Sequence, residues 1–271
     1  MSQTPDQDVE RILDAIFRLY HYDFRAYSPS SVRRRLLVAC TQIGYANISE
    51  LHQGLQNDTT VFTQLLQYLT VQVSDLFRDP SFFVVLRKQV VPVLRTYPSL
   101  KLWIAGCSSG EEVYSFAILL REEGLLERCM LYATDINPEA LRKAEAGIYP
   151  SDRVPAFSEN HRASGGKGSL SAHYSARYDS IVFDRTLRKH VVFADHSLAT
   201  DSVFAEVHVV SCRNVLIYFN RELQDRALGL MHDALCRRGF LGLGARESLQ
   251  FSGQATNFEL LQPQEQWHQK C

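Results

Sequence analysis

One stretch constrains the fold of this chain more than any other: Leu102-Trp103-Ile104-Ala105-Gly106-Cys107-Ser108-Ser109-Gly110-Glu111-Glu112-Val113-Tyr114-Ser115. An apolar run breaks into small residues and re-forms as a helix on which Val113, Phe116, Ala117 and Leu120 share one face. Strand, tight turn and helix in that order are the grammar of a doubly wound α/β fold, whose ligands sit beyond the carboxyl ends of the strands. Gly106 and Gly110 remove side chains where the backbone-hugging part of a ligand would approach.

The turn is G-x-x-x-G rather than the G-x-G-x-x-G of pyrophosphate sites, and its helix opens on two carboxylates, Glu111 and Glu112. Those charges repel a phosphate and attract a cation. Among nucleotide ligands, S-adenosylmethionine carries positive charge on its amino and sulfonium groups. On this stretch alone, an acid-capped helix that serves only packing is the other reading.

The chain has 271 residues, 45% hydrophobic and 22% charged, with a net charge of −1, enough for one large domain or two modest ones. No basic excess points to nucleic acid. Met1-Ser2-Gln3-Thr4-Pro5-Asp6 is polar, without a signal-peptide core, and no apolar run is long enough to enter a membrane, so the cytoplasm is the expected compartment. Cys40, Cys107, Cys129, Cys212, Cys236 and Cys271 form no C-x-x-C pair and no Cys/His cluster of zinc spacing. They read as reduced thiols, with no metal expected. A monomer is the default.

Periodicity predicts helices around Val9–Tyr20, from a start signal at Ser28-Pro29-Ser30-Ser31 through Ile43 with Gly44 as the stop, from Asn47 through Leu55, and over Val61–Leu69. The second buries Leu36, Leu37, Cys40 and Ile43. Its first turn carries Arg33, Arg34 and Arg35, read either as a solvated face or as a docking patch for an acidic partner. Leu69 to Asp79 reads as an extended linker into a second domain, and Phe82 starts a helix that ends before Tyr97-Pro98. Strands follow at Leu100–Ala105, Met130–Thr134, His190–Ala194, Val207–Cys212 and Phe240–Gly244, with a last one at Phe258–Leu261. Asp135 ends the second strand, where such folds place a carboxylate for a ribose diol; an Asx-turn is the other reading. Between Tyr149 and Lys189, short antiparallel strands are expected around a flexible turn at Gly165-Gly166. Asn220 caps a helix that Arg237-Arg238-Gly239 closes.

Leu69-Thr70…Ser74…Phe77-Arg78, Ala105…Ser108-Ser109-Gly110-Glu111-Glu112-Val113-Tyr114-Ser115, Ala133-Thr134-Asp135-Ile136, Ala144-Glu145-Ala146-Gly147-Ile148-Tyr149 and Cys212-Arg213-Asn214-Val215-Leu216-Ile217-Tyr218-Phe219 occur in this order. Together they resemble the CheR chemotaxis receptor methyltransferases. The resemblance implies a class I, Rossmann-like S-adenosylmethionine-dependent methyltransferase domain over 78–271. It also implies an all-helical amino-terminal domain and linker over 1–77, and an antiparallel β subdomain inserted at about 150–189. It implies protein-glutamate O-methylation of chemoreceptor cytoplasmic helices, with S-adenosylhomocysteine as the product.

By the same resemblance, Glu112 holds the methionine portion of the cofactor and Asp135 the ribose. Ser197, Leu198, Arg213 and Asn214 flank the adenine and methionine ends. Gln72, Ser74 and Arg78 close over the cofactor and the acceptor carboxylate, which Arg78 grips, and Tyr218 stands beside the transferring methyl group. In some members of that family the β insertion, here around Gly165 and Gly166, binds a peptide at the receptor's carboxyl terminus. The chain departs from the family pattern at Gln72, Ser74 and Leu76, at Ser197, and at Gly244-Ala245-Arg246-Glu247, where the family has G-H-S-E. That last change motivates a second reading, a cofactor-binding signalling module with weak or no catalysis.

Overall fold

The computed structural model describes the backbone of residues 5–271 and the side chains from Gln7 on, so the reading of Met1–Thr4 lies outside the described residues. The chain opens with α1 (Pro5–Tyr20), α2 (Pro29–Ile43), α3 (Ile48–Asn57) and α4 (Thr59–Leu69). Their ends follow local chemistry. Gly44 adopts φ 99° to stop α2. The Asn47 side chain accepts from Glu50 N at 2.9 Å, and Glu50 reaches back to Ala46 N at 3.1 Å. On α2 the stripe Val32, Leu36, Ala39 and Cys40 is buried, but Leu37 is 49% exposed, against expectation. Arg35 takes a buried place instead, because it lies three residues from Val32 and four from Ala39, on the inward face.

Residues 70–79 form no regular element, as a linker should. Next come α5 (Pro80–Val85), a π-helical turn (Leu86–Val90) and α6 (Val91–Leu94). Pro92 offers no N–H to the ladder, and the π turn before it re-registers the helix.

The α/β part runs β1 (Leu100–Ala105), α7 (Glu111–Glu122), β2 (Cys129–Asp135), α8 (Pro138–Ala146), β3 (Ile148–Pro150), α9 (Val154–Ala163), β4 (Tyr174–Arg177), β5 (Ser180–Phe183) and α10 (Arg185–Arg188). It continues through β6 (Val191–Asp195), β7 (Val207–Cys212), α11 (Arg221–Ala234), β8 (Leu235–Leu243), β9 (Phe258–Gln262) and β10 (Trp267–Lys270). One sheet has the order β6-β2-β1-β7-β8-β10-β9, with β10 antiparallel to both its neighbours. A three-stranded antiparallel sheet, β3-β5-β4, forms the insertion. Chain order reverses across β1, which lies between β2 and β7, so a crevice opens at the carboxyl ends of these strands.

Three details differ from expectation. The insertion contains a helix, α9, and Gly165-Gly166 closes that helix rather than joining strands; β4 and β5 turn at Tyr178-Asp179. A Cβ on Gly166 would sit 2.3 Å from the His161 ring, so this glycine serves packing. Arg237-Arg238-Gly239 belong to β8, not to the end of α11. The β7–β8 register jumps from Val207↔Leu235 to Val209↔Phe240, and the residues between bulge outward.

A buried ionic network staples the insertion to α7. Glu122 Oε2 pairs with Arg87, while Oε1 faces His161 Nε2 at 2.7 Å and His173 Nε2 at 3.5 Å. Arg87 also donates to the Ser164 carbonyl at 3.1 Å, at the end of α9.

Candidate functional site

A cavity of about 310 Å³ opens at the crevice. Its walls come from the β1, β2 and β7 ends, the 70–79 linker and the helical domain. Of the residues singled out in the sequence, Ser74, Arg78, Glu112, Asp135, Leu198, Arg213, Asn214 and Tyr218 line it together. Arg35, expected at best in an outward patch, lines it too; Arg33 and Arg34 are exposed.

Gln72 and Ser197 are not among the lining residues. The Gln72 amide donates to Gln67 Oε1 at 2.8 Å, back on α4. The Ser197 hydroxyl accepts from Ala199 N at 3.3 Å within a local turn, and the neighbouring His196 and Leu198 reach the cavity instead. Gly165 and Gly166 lie in the insertion beside Arg87 and His161.

Asp135 ends β2 with each oxygen accepting one backbone N–H, Oδ2 from Ser108 at 2.8 Å and Oδ1 from Asn137 at 2.9 Å. Lone pairs remain on both for a diol. Burial pushes this carboxyl up, against the pull of those donors. The β1 turn is stitched to the same place by Cys107 N donating to Thr134 O at 2.8 Å. Gly106, at φ 69°, lines the cavity, and a Cβ there would meet Val215 Cγ2 at 2.5 Å. Gly110, read as ligand space, instead lets the turn pack against α8: a Cβ would lie 2.7 Å from that of Ala144.

The two acids that open α7 part company. Glu111 turns away to Arg153 and Ser109, and Glu112 faces the cavity. Glu112 Oε1 accepts from Ser211 Oγ at 2.6 Å, and Oε2 pairs with Arg213 Nη1 at 3.0 Å. Arg213, with its side chain 1% exposed, also holds the Arg78 carbonyl at 2.8 Å and Asp79 at 2.9 Å, and its guanidinium lies 4.1 Å from the Phe82 ring centroid. It acts as a clamp between the linker and β7. Among the described residues the Arg78 guanidinium has no ion-pair partner.

The helical domain is tied to the turn after β7. Ser28 N donates to Tyr218 O at 2.8 Å, Asn220 N donates to Ala26 O at 2.9 Å, and Tyr27 bridges Phe219. Arg35 donates to the Leu69 carbonyl at 2.6 Å, and its guanidinium lies 4.5 Å from the Tyr218 ring centroid. Its Nη2 is buried without a partner among the described residues.

Beneath that turn, the Glu247 carboxylate accepts four backbone N–H groups, from Gly244, Asn214, Val215 and Leu216, at 2.7–2.9 Å. Ala245 and Arg246, the two residues that depart from the family pattern, are exposed and not among the lining residues.

Spacing rules also passed over one cluster. Glu122, His161 and His173 bring ligand-type atoms within 4.8 Å of one another from three separate elements. Arg87 and Lys167 already supply positive charge there: Arg87 pairs with both Glu122 and Glu123, and Lys167 lies 2.9 Å from Glu123. The cluster therefore reads as a charge-compensated staple.

Residues 72–266 match the family described as CheR methyltransferase, SAM binding domain, and residues 7–70 match CheR methyltransferase, all-alpha domain. The chain is 55% identical to a Pseudomonas putida protein, Cher3, whose name assigns it provisionally to the methyltransferases, over 96% of this chain and 95% of that one. It is 31% identical to a chemotaxis protein methyltransferase of Listeria innocua over 84% of each chain. With a chemotaxis protein methyltransferase 1 of Vibrio cholerae the identity is 29%, over 85% of this chain and 84% of that one. Fold, crevice and these matches define an S-adenosylmethionine-dependent methyltransferase. Within that class, the chain belongs to the CheR methyltransferase family. No helix among the described residues is long and apolar enough to cross a membrane.

Proposed function

We propose that this protein transfers a methyl group from S-adenosylmethionine to glutamate side chains of a chemoreceptor cytoplasmic domain, forming methyl esters for chemosensory adaptation. One observation carries the reading: a single cavity is lined by two carboxylates suited to the cofactor, Glu112 and Asp135, and, besides the Arg213 that pairs with Glu112, by the guanidinium groups of Arg78 and of Arg35, the latter over the Tyr218 ring. In this reading residues 1–77 are the helical domain with its linker, residues 78–271 are the transferase domain, and the protein works in the cytoplasm as a monomer.

When bound, the cofactor supplies a methyl group on a positively charged sulfur. Asp135 takes the ribose hydroxyls, and Glu112, braced by Ser211 and Arg213, takes the ammonium group. Leu198, Ser74 and Asn214 complete the walls. An acceptor glutamate is already ionised at neutral pH, with an ordinary pKa of about 4.3, so its attack requires no general base. Arg78 and Arg35 draw in that carboxylate, and bidentate geometry fixes which oxygen faces the methyl group. Tyr218 orients the acceptor while its ring rests on Arg35. The chain contributes mainly orientation and exclusion of water, effects worth several kcal/mol, about 7 or more in well-aligned cases.

The changed Gly244–Glu247 loop lends little to the non-catalytic reading, because its altered residues lie outside the cavity. Calorimetry with S-adenosylhomocysteine, followed by labelled cofactor and receptor membranes, tests the proposal. Base-labile label on the receptor is the expected result. No binding would remove the cofactor reading, and binding without transfer would leave the signalling module.

A further inference from the structure

Glu247 touches no residue role assigned above, yet it is 5% exposed and lies directly beneath the turn that carries Arg213, Asn214 and Tyr218. Oε1 accepts from Val215 N at 2.9 Å and Leu216 N at 2.7 Å; Oε2 accepts from Asn214 N at 2.9 Å and Gly244 N at 2.7 Å. Three of these donors are consecutive, and Asn214 holds a left-handed φ of 61°. Successive N–H groups pointing into one concavity make an anion-binding nest, and here the anion is a side chain of the same chain.

The nest requires a carboxylate. A neutral amide offers one acceptor oxygen and two extra donors, so it leaves part of the nest facing N–H with N–H. Buried N–H groups left unpaired are costly, and Asn214–Leu216 would have to shift to regain partners even though the Tyr218–Asn220 end stays tied to Ala26–Ser28. A second observation agrees. At Gly244 a Cβ would fall 2.7 Å from Glu247 Oε2 and 2.9 Å from Asn214 N, so glycine is needed for the carboxylate to reach the nest.

We propose that Glu247 is a positioning residue for cofactor binding: an internal anion that shapes the Arg213–Tyr218 turn and so sets the cavity wall. The inference rests on the cavity being the cofactor site. It also explains how the Gly244–Glu247 loop, whose Ala245 and Arg246 face solvent, stays coupled to the site.

The test is S-adenosylhomocysteine calorimetry on Glu247→Gln, Glu247→Asp and Gly244→Ala, with Leu94→Ala as a control for lost stability. Leu94 is fully buried in α6 and outside the cavity, so its truncation lowers stability without touching the site. Glu247→Gln is expected to weaken binding by at least about tenfold, the effect of one unpaired donor. Glu247→Asp, which keeps the charge, should lose less, and Leu94→Ala should bind as wild type does. Gly244→Ala, with the carboxylate retained but displaced, should lose affinity even if Glu247→Gln does not fold. Wild-type affinity in Glu247→Gln or, where that variant does not fold, in Gly244→Ala overturns the inference, as does a matching loss in Leu94→Ala. Failure of the wild-type protein to bind overturns the cavity assignment itself.

Discussion

Glu122 and Glu247 both have covered side-chain carboxylates in the transferase domain, but their partners differ in kind. Around Glu122 stand Arg87, His161 and His173. Burial alone would push this carboxyl up, yet the hydrogen bonds from His161, His173 and Arg87 outweigh it and hold the group well below the usual carboxylate range. Around Glu247 stand only backbone N–H groups, and there burial wins and the carboxyl is pushed up. A carboxylate compensated by side-chain cations ties elements together across the fold. One compensated by backbone donors dictates the path of a turn. The first kind of contact contributes to stability, the second to the shape of a site.

The largest effect expected from this contrast is at the staple. Glu122→Ala removes one of the two carboxylates that pair with Arg87, leaving Glu123, and strips His161 of its acceptor; it should cost about 1–3 kcal/mol in urea unfolding, with S-adenosylhomocysteine affinity unchanged in the folded fraction. A loss of affinity would break the division between the two regions. The site residues should behave oppositely. Arg78→Ala and Tyr218→Phe should lower turnover by about tenfold or more, and by more than they lower cofactor affinity, while melting temperature stays near wild type, since each acts on alignment of the acceptor. Unchanged turnover in both would remove their assigned roles.

Acid sharpens the comparison further. The Glu122 pKa is depressed in the folded state, so its contribution is fully present above the ordinary value of 4.5 and drains away as pH falls below it. Urea midpoints measured down that range should fall more steeply for wild type than for Glu122→Gln. Smallest of all is the expected effect of Arg246→Ala, an exposed neighbour of Glu247: within about 0.5 kcal/mol in stability, with no change in affinity by calorimetry.

How much of this was legible in the sequence depended on the kind of signal. Elements with a strong apolar period, such as α4, β1 and α7, lie where the pattern puts them. Helix α9 did not announce itself because only Phe157 and His161, four residues apart, are buried on it. β10 escaped because Trp267-His268-Gln269-Lys270 has one strongly apolar residue, and its burial against Phe82 comes from tertiary contact. Motif residues such as Asp135 and Glu112 line the cavity, because each stands at a strand end or helix start that the pattern marks. Arg35 did not fit a surface reading, because a guanidinium at an inward helical position looks the same in sequence as one at an outward position. Glu247 was visible only as part of an altered motif, since no local pattern says that a charge will be buried or that backbone N–H groups will meet it.

The short bridge between Tyr27 and Phe219 has a consequence for how such chains diversify. If the helical domain were a detachable cassette, a different one could be grafted on without touching the cavity. Here the graft would also have to supply the Ala26–Ser28 backbone partners of the Tyr218–Asn220 segment and a guanidinium over the Tyr218 ring. Substitutions on α2 around Arg35 are therefore felt at the Tyr218 end of the cavity, and the packing of the helical domain and the shape of the cavity wall change together.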